Sequence, residues 1–291
     1  MARKVLVIGG NRYFGKRLVS HLIARGDDVT LLNRGQLKDD FGNKVQRIRM
    51  DRGLLHSGHP LLGTRQWDIL YDQVCYDAND ARGTCEALNG RVGRVFVTSS
   101  QSVYGPGENI DERMFNPRTY KFTKFVDRGV DYSEAKRQME ATYFTYSDAP
   151  VVAVRFSIVL GEDDYTGRLK AHVDAVVENK ALFFPDLAAR ISFLNSADAG
   201  RFLDWLSDQS LDGPINCCAT NPISLKALMT LVESATGKSS RIAATPASGS
   251  SSPFGIEGDG FMSTERLEAC GFRAEPLTAW LPKLVEHFAH L

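Results

Sequence analysis

Residues 4–8, Lys-Val-Leu-Val-Ile, form a short apolar run rich in β-branched side chains, the composition of a strand buried on both faces. The period then changes. Phe14, Leu18 and Leu22 recur every four residues with Val19 and Ile23 beside them, the apolar face of a helix that Gly26 is placed to end. Between them lies Gly9-Gly10-Asn11-Arg12-Tyr13-Phe14-Gly15, a glycine turn. The alternation continues along the chain. Strands are predicted at 28–33, 45–50, 67–71, 94–98 and 150–156, and helices at 77–89 and 132–146. Strands alternating with helices imply an α/β fold, a Rossmann-type doubly wound parallel sheet with right-handed crossovers. Ligands of such a sheet sit beyond the carboxyl ends of its strands.

Beyond residue 156 the pattern is less regular. Helices are predicted at 167–179, 224–236 and 263–270. A final helix carries Leu277, Trp280, Leu281, Leu284, Val285 and Phe288 on one face, with Pro282 expected in its first turn. Asn195–Asp198 should cap a helix whose Phe202, Leu203, Trp205 and Leu206 are mostly core. Residues 243–260, rich in Ser, Gly and Pro, read as a flexible loop or lid, or as partly disordered.

Composition narrows the class. The 291 residues have a formal net charge of zero, which argues against a dedicated nucleic-acid binder acting through its overall field. The charge is uneven: eleven Lys/Arg stand against four Asp/Glu in the first fifty residues, which either a phosphate-rich ligand near the N-terminal sheet or a solvated basic helix face would explain. No apolar run is long enough to span a membrane. Met1-Ala-Arg-Lys leads straight into the first strand without a signal-peptide pattern. The five cysteines lack metal or disulfide-framework spacing and suit a reducing cytoplasm, with Cys217-Cys218 read as buried residues of a strand. His56 and His59 fall in a Gly/Pro-punctuated loop and are not read as ligands, so no metal is expected.

Candidate chemistry gathers at the strand ends. A glycine turn between strand and helix lets backbone N–H groups approach a pyrophosphate at the helix N-terminus. At the end of the second strand an acidic side chain would accept the 2′-hydroxyl of NAD. The residues there are Asn33-Arg34-Gly35, and Arg34 suits a 2′-phosphate, on which Arg12 would converge. NADP is therefore favoured over NAD. Asp51 and Arg52 follow the third strand, where adenine contacts belong. Thr98-Ser99-Ser100-Gln-Ser102-Val-Tyr104-Gly105 is a hydroxyl-rich run directly after the fifth strand. Tyr132-Ser-Glu-Ala-Lys136 opens a helix and puts Tyr132 and Lys136 on one face. A free tyrosine titrates near pH ~10, too high for efficient acid/base work at neutrality, and a neighbouring ammonium stabilises the phenolate.

In this order, these segments resemble the extended short-chain dehydrogenase/reductases, the NAD(P)-dependent epimerase/dehydratase family, over nearly the whole chain. The resemblance rests on the glycine turn, on Ser-Ser-x-x-Val-Tyr-Gly at 99–105 and on Tyr-x-x-x-Lys at 132–136. It implies Ser100 as catalytic serine, Tyr132 as general acid/base and Lys136 as the lysine that binds the nicotinamide ribose. It implies that Phe156, Ser157 and Ile158 line the nicotinamide, and that 190–194 is a strand returning to the sheet. Gln73-Val-Cys75-Tyr76 replaces the small-residue motif usual after strand 4, and Arg12 replaces the middle glycine. Gly9, Gly10, Asn11, Arg12, Tyr13, Phe14, Gly15, Asn33, Arg34, Asp51, Arg52, Gln73, Cys75 and Thr98 are then the expected cofactor contacts, with Tyr132 and Lys136. Residues 1–156 with about 190–218 would form the dinucleotide-binding domain, and about 157–189 with 219–291 a substrate-binding region. The expected activity is hydride transfer at an oxygen-bearing carbon of a nucleotide sugar or small carbonyl substrate, in an enzyme that resemblance suggests is a homodimer. The glycine variant also resembles the chloroplast stem-loop-binding branch, so the alternative is a non-catalytic or RNA-binding protein on the same fold.

Overall fold

The computed structural model describes residues 2–291. The chain divides into two compact units. The first holds the residues up to Tyr104, Glu112–Phe156 and Ala199–Asn216; the second holds Gly105–Asp111, Ser157–Asp198 and Cys217–Leu291. Among the described residues no helix is long and apolar enough to cross a membrane.

In the first unit, β1 (Lys4–Ile8), β2 (Asp28–Asn33), β3 (Gln46–Arg49), β4 (Ile69–Asp72) and β5 (Val95–Ser100) join the strands Val151–Phe156 and Gly213–Cys217. The resulting seven-stranded sheet runs β3-β2-β1-β4-β5, then 151–156, then 213–217 at the edge. The pairings from β3 across to 151–156 are all parallel. The strand order reverses between β1 and β4, the position where a doubly wound sheet opens a crevice at its carboxyl edge. β5 runs two residues further than the pattern predicts and carries Ser99 and Ser100 to the end of the sheet.

Helices α1 (Tyr13–Arg25), α2 (Ala78–Leu88) and α3 (Tyr132–Tyr146) connect the strands. Gly26, left-handed at φ 83°, closes α1 by donating to the carbonyls of Ile23 and Leu22. The helix Ser196–Leu206 lies against α1 so closely that a Cβ on Gly200 would stand 2.7 Å from Arg17 Cβ.

The second unit corrects three expectations. Residues 190–195 do not return to the central sheet. Arg190–Ile191 enters a four-stranded sheet with 223–224, 260–262 and 107–110, and Phe193–Asn195 pairs in parallel with Ile158–Leu160. Short apolar strands look alike in sequence, and only the pairing partners distinguish them. Pro282 lies inside the helix Leu277–Ala289, past its first turn, so the helix gives up an internal N–H bond there. The apolar face that carries Trp280, Leu281 and Leu284 holds it in the unit's core.

The Ser/Gly/Pro-rich stretch is tied down. Phe183 donates to Ser250 O and accepts from Ser252 N, and Phe254 is fully buried. The Ser252 hydroxyl meets buried His172 Nε2 at 2.7 Å, while His172 Nδ1 faces Arg168 O at 2.7 Å and the ring stacks on Phe254. Burial holds His172 down to about 4, from 6.5. Unfolded chains therefore take up this proton before folded ones do. Stability from His172 is complete above pH 6.5 and is lost as the pH falls towards 4, by about 1.4 kcal/mol per pH unit. Urea titrations at pH 7, 5.5 and 4.5 should show this loss, and His172→Gln should flatten it.

Candidate active site

The glycine turn takes its shape from three left-handed residues: Gly9 at φ 96°, Gly10 at φ 79° and Tyr13 at φ 55°. A Cβ on Gly9 would lie 3.0 Å from Val74 Cγ1, and one on Gly10 would lie 2.7 Å from Val7 Cγ1. Gly10 is thus required by packing against β1 as well as by its dihedral. A Cβ on Gly15 would lie 3.3 Å from Gly10 Cα, so a glycine there lets α1 sit close on the turn. Arg12, at the missing middle glycine, is extended and exposed, so its side chain leaves the turn without obstructing it. Asn11 Nδ2 donates to Leu37 O at 3.1 Å and Lys16 pairs with Asp40 at 2.8 Å, which fastens the loop after β2 over the turn. The ring of Phe14 packs against Phe156, centroids 5.2 Å apart.

At the end of β2, Asn33 Oδ1 accepts from Gly35 N at 2.9 Å and shapes the Asn33-Arg34-Gly35 turn. Arg34 is exposed. Arg49, which faces Asn33 across the β2–β3 register, lays its side chain across Gly35, where a Cβ would meet Arg49 Cδ at 3.3 Å. Neither arginine has an ion-pair partner among the described residues. Asp51 is exposed and accepts from Gly53 N. Arg52 instead turns inward. Its Nη1 binds buried Asp72 at 2.7 Å, its Nη2 donates to Asp80 O and Thr84 Oγ1 at 2.8 Å, and Tyr143 closes the cluster on Asp72 at 2.6 Å. Its charge is already balanced within the protein.

At the ends of β4 and β5, α3 delivers Lys136 into the sheet edge. Lys136 is 2% exposed, and its ammonium donates to Cys75 O at 2.6 Å and Thr98 O at 2.8 Å. It also stands 5.9 Å from the centre of the Tyr132 ring. Asp131 caps α3 by accepting from Glu134 N, which fixes the turn that carries Tyr132. Tyr132 is 42% exposed and open to a reactant. Ser100 ends β5; its Oγ accepts from Ser102 N at 3.2 Å, and its own proton has no acceptor among the described residues. The Cys75 side chain points into the core, where burial pushes its thiol well up, and the residue offers only its carbonyl to Lys136. Both amide atoms of Gln73 and the Thr98 hydroxyl are buried without a partner. Orphaned polar atoms at two neighbouring strand ends, beside a turn of close-approach glycines, fit the hydroxyls and phosphates of a dinucleotide. Ser157, which opens the second unit, likewise has a buried hydroxyl without a partner, and Ile158 packs at the edge of that unit's core.

Behind these groups lies a network that motif reading does not reveal. Arg155 and Glu140 form a fully buried ion pair, with Nη2–Oε2 at 2.6 Å and Nε–Oε1 at 3.0 Å. Burial works against the Arg155 charge, and Glu140 more than offsets it, so the guanidinium pKa is raised. Ser99 donates to Glu140 at 2.5 Å, while Arg155 holds Tyr104 Oη at 2.8 Å and the carbonyls of Glu112 and Phe115. The network joins the helix of Tyr132 and Lys136 to the strand of Ser100. Two signals in the chain point to it: a lone arginine in Val-Val-Ala-Val-Arg-Phe, and Glu140 on the four-residue spacing of Tyr132 and Lys136.

Solved structures share this architecture. A UDP-glucose 4-epimerase of Thermus thermophilus, in complex with NAD, is 18% identical with a TM-score of 0.74 and 98% coverage of both chains. A Burkholderia cenocepacia putative epimerase gives 17% and 0.75 over 99% of both chains. The dTDP-glucose 4,6-dehydratase of Bacillus anthracis, in complex with NAD, gives 14% and 0.74 over 99% of this chain and 96% of that one. No curated protein matches significantly in sequence. The family model for NAD-dependent epimerases and dehydratases matches residues 5–218, most of the chain and every strand-end group of the first unit described above. The chain belongs to the NAD-dependent epimerase/dehydratase family.

Proposed function

We propose that the protein is an NADP-preferring oxidoreductase or epimerase acting at an oxygen-bearing carbon, on a nucleotide sugar or a small carbonyl substrate. The observation that carries this reading is the placement of Lys136 between Cys75 O and Thr98 O, beside the exposed ring of Tyr132. Bound there, the nicotinamide would supply or accept the hydride. Tyr132 exchanges the proton at the substrate oxygen, Ser100 donates a hydrogen bond to that oxygen, and Lys136 holds the nicotinamide ribose beside them. The turn 9–15, Asn33 and the amide of Gln73 hold the dinucleotide. Residues 157–189 and 219–291 serve the substrate. The five cysteines, none of them disulfide-bonded, suit the cytoplasm.

The preference for NADP rests on exposed Arg34 and on Arg49, whose side chain lies across Gly35, at the strand end where an NAD-specific site would carry a carboxylate. Titration with NADPH and NADH tests the reading. NADPH should bind the tighter of the two, and Arg34→Ala should weaken NADPH by about 1–3 kcal/mol while sparing NADH. Equal losses would reject the phosphate assignment. Binding of neither nucleotide would reject the oxidoreductase reading in favour of a non-catalytic protein.

A further inference from the structure

The segment 118–131, Arg-Thr-Tyr-Lys-Phe-Thr-Lys-Phe-Val-Asp-Arg-Gly-Val-Asp, takes no part in the chemistry above, yet it is fastened to the helix that carries Tyr132. Tyr120 Oη donates to both Glu134 oxygens at 2.8 Å. Gln138 donates to Lys124 O at 2.9 Å and accepts from Val126 N at 3.0 Å. The segment then turns at Asp127, whose carboxylate accepts from Gly129 N and whose carbonyl accepts from Val130 and Asp131. This places Arg128 on the ring of Tyr76, its Cζ 4.1 Å from the ring centre. Lys136 Nζ stands 5.1 Å from the centre of the same ring.

Two cations therefore share one aromatic plate, and neither makes an ion pair among the described residues. The carboxylates nearest to Arg128 in sequence are occupied: Asp127 by Gly129 N and Asp131 by Glu134 N. A guanidinium held over a ring and without an ion pair keeps its planar N–H fork available, the group that binds carboxylate or phosphate in bidentate fashion. We propose that Arg128, seated on Tyr76, anchors an oxyanion of the substrate, a phosphate or carboxylate held near the carbon that Tyr132 and Ser100 address. This inference rests on the reading of Tyr132 and Lys136 as the reaction centre.

Calorimetric titration with inorganic pyrophosphate tests it, on protein saturated with NADPH so that the glycine turn is filled, or on the free protein where NADPH does not bind. Pyrophosphate should bind, Arg128→Ala should weaken it at least tenfold, and Arg128→Lys should retain part of the affinity. Lys121→Ala, in the same segment but off the ring, should leave it unchanged. NADPH affinity should change less than twofold in Arg128→Ala. Absence of pyrophosphate binding, or binding indifferent to Arg128, overturns the proposal. A tenfold loss of NADPH affinity in Arg128→Ala also overturns it, because the arginine would then serve the cofactor. Arg128-dependent pyrophosphate binding in a protein that binds no NADPH would sustain the anion site while the oxidoreductase reading fell.

Discussion

Tyr132→Phe should lower turnover about 100- to 10,000-fold, the usual contribution of a positioned acid/base, and leave NADPH affinity nearly unchanged. The substitution removes one oxygen from a ring that is 42% exposed and whose hydroxyl makes no hydrogen bond among the described residues, so the fold has little reason to respond. Lys136 keeps its two carbonyl partners, which both lie outside the tyrosine. The assay is single-turnover oxidation of bound NADPH against a panel of aldehydes, ketones and nucleotide-linked keto sugars, with nucleotide affinity measured in parallel. Equal rates in wild type and variant would remove Tyr132 from the mechanism. A parallel collapse of nucleotide affinity would show that the phenol binds rather than reacts.

The second large effect is expected at Glu140. Glu140→Leu leaves the Arg155 guanidinium fully buried without its carboxylate and takes the acceptor from Ser99, and should cost about 3–5 kcal/mol. Marginal domains hold only about 5–15 kcal/mol in all, so this is a large share of the total. Arg155→Met should cost a comparable amount. The double variant should lose less than the sum of the two, since neither charge is then stranded. Urea midpoints at constant m-value measure all three. Strict additivity would mean that the pair is no coupled unit.

Much of the candidate site could be named from the sequence because its logic is local. The run Val5–Ile8, the glycines of the turn and the Tyr132–Lys136 spacing lie within stretches of about one or two helical turns, where side-chain period announces the element. What escaped is long-range. Arg52 looks like a free basic residue at a strand end until Asp72 and Asp80, 20 and 28 positions on, are seen beside it. Arg49 becomes interesting only when the β2–β3 register sets it across from Asn33. The Ser-rich stretch has the composition of a disordered linker, yet one histidine 80 positions earlier and one parallel bridge to Phe183 suffice to seat it. Residues 190–194 read as a returning strand because their pattern describes a face and not a neighbour.

The edge position of Gly213–Cys217 bears on how the protein can be made. Synthesis proceeds from the N-terminus, and the ribosome has released all of β1–β5 and the strand 151–156 long before that edge exists. Until then 151–156 offers an open row of backbone donors and acceptors, and Tyr71 lacks the carbonyl of Leu203 to which it donates at 2.9 Å. Arg94, too, waits for Gln209 O and Leu211 O, and Glu112 for Asn216 N. The nascent nucleotide-binding half must therefore persist as an incomplete sheet while the next sixty or so residues are translated, and a chain cut at residue 156 would have every proposed catalytic side chain and no finished sheet to hold them.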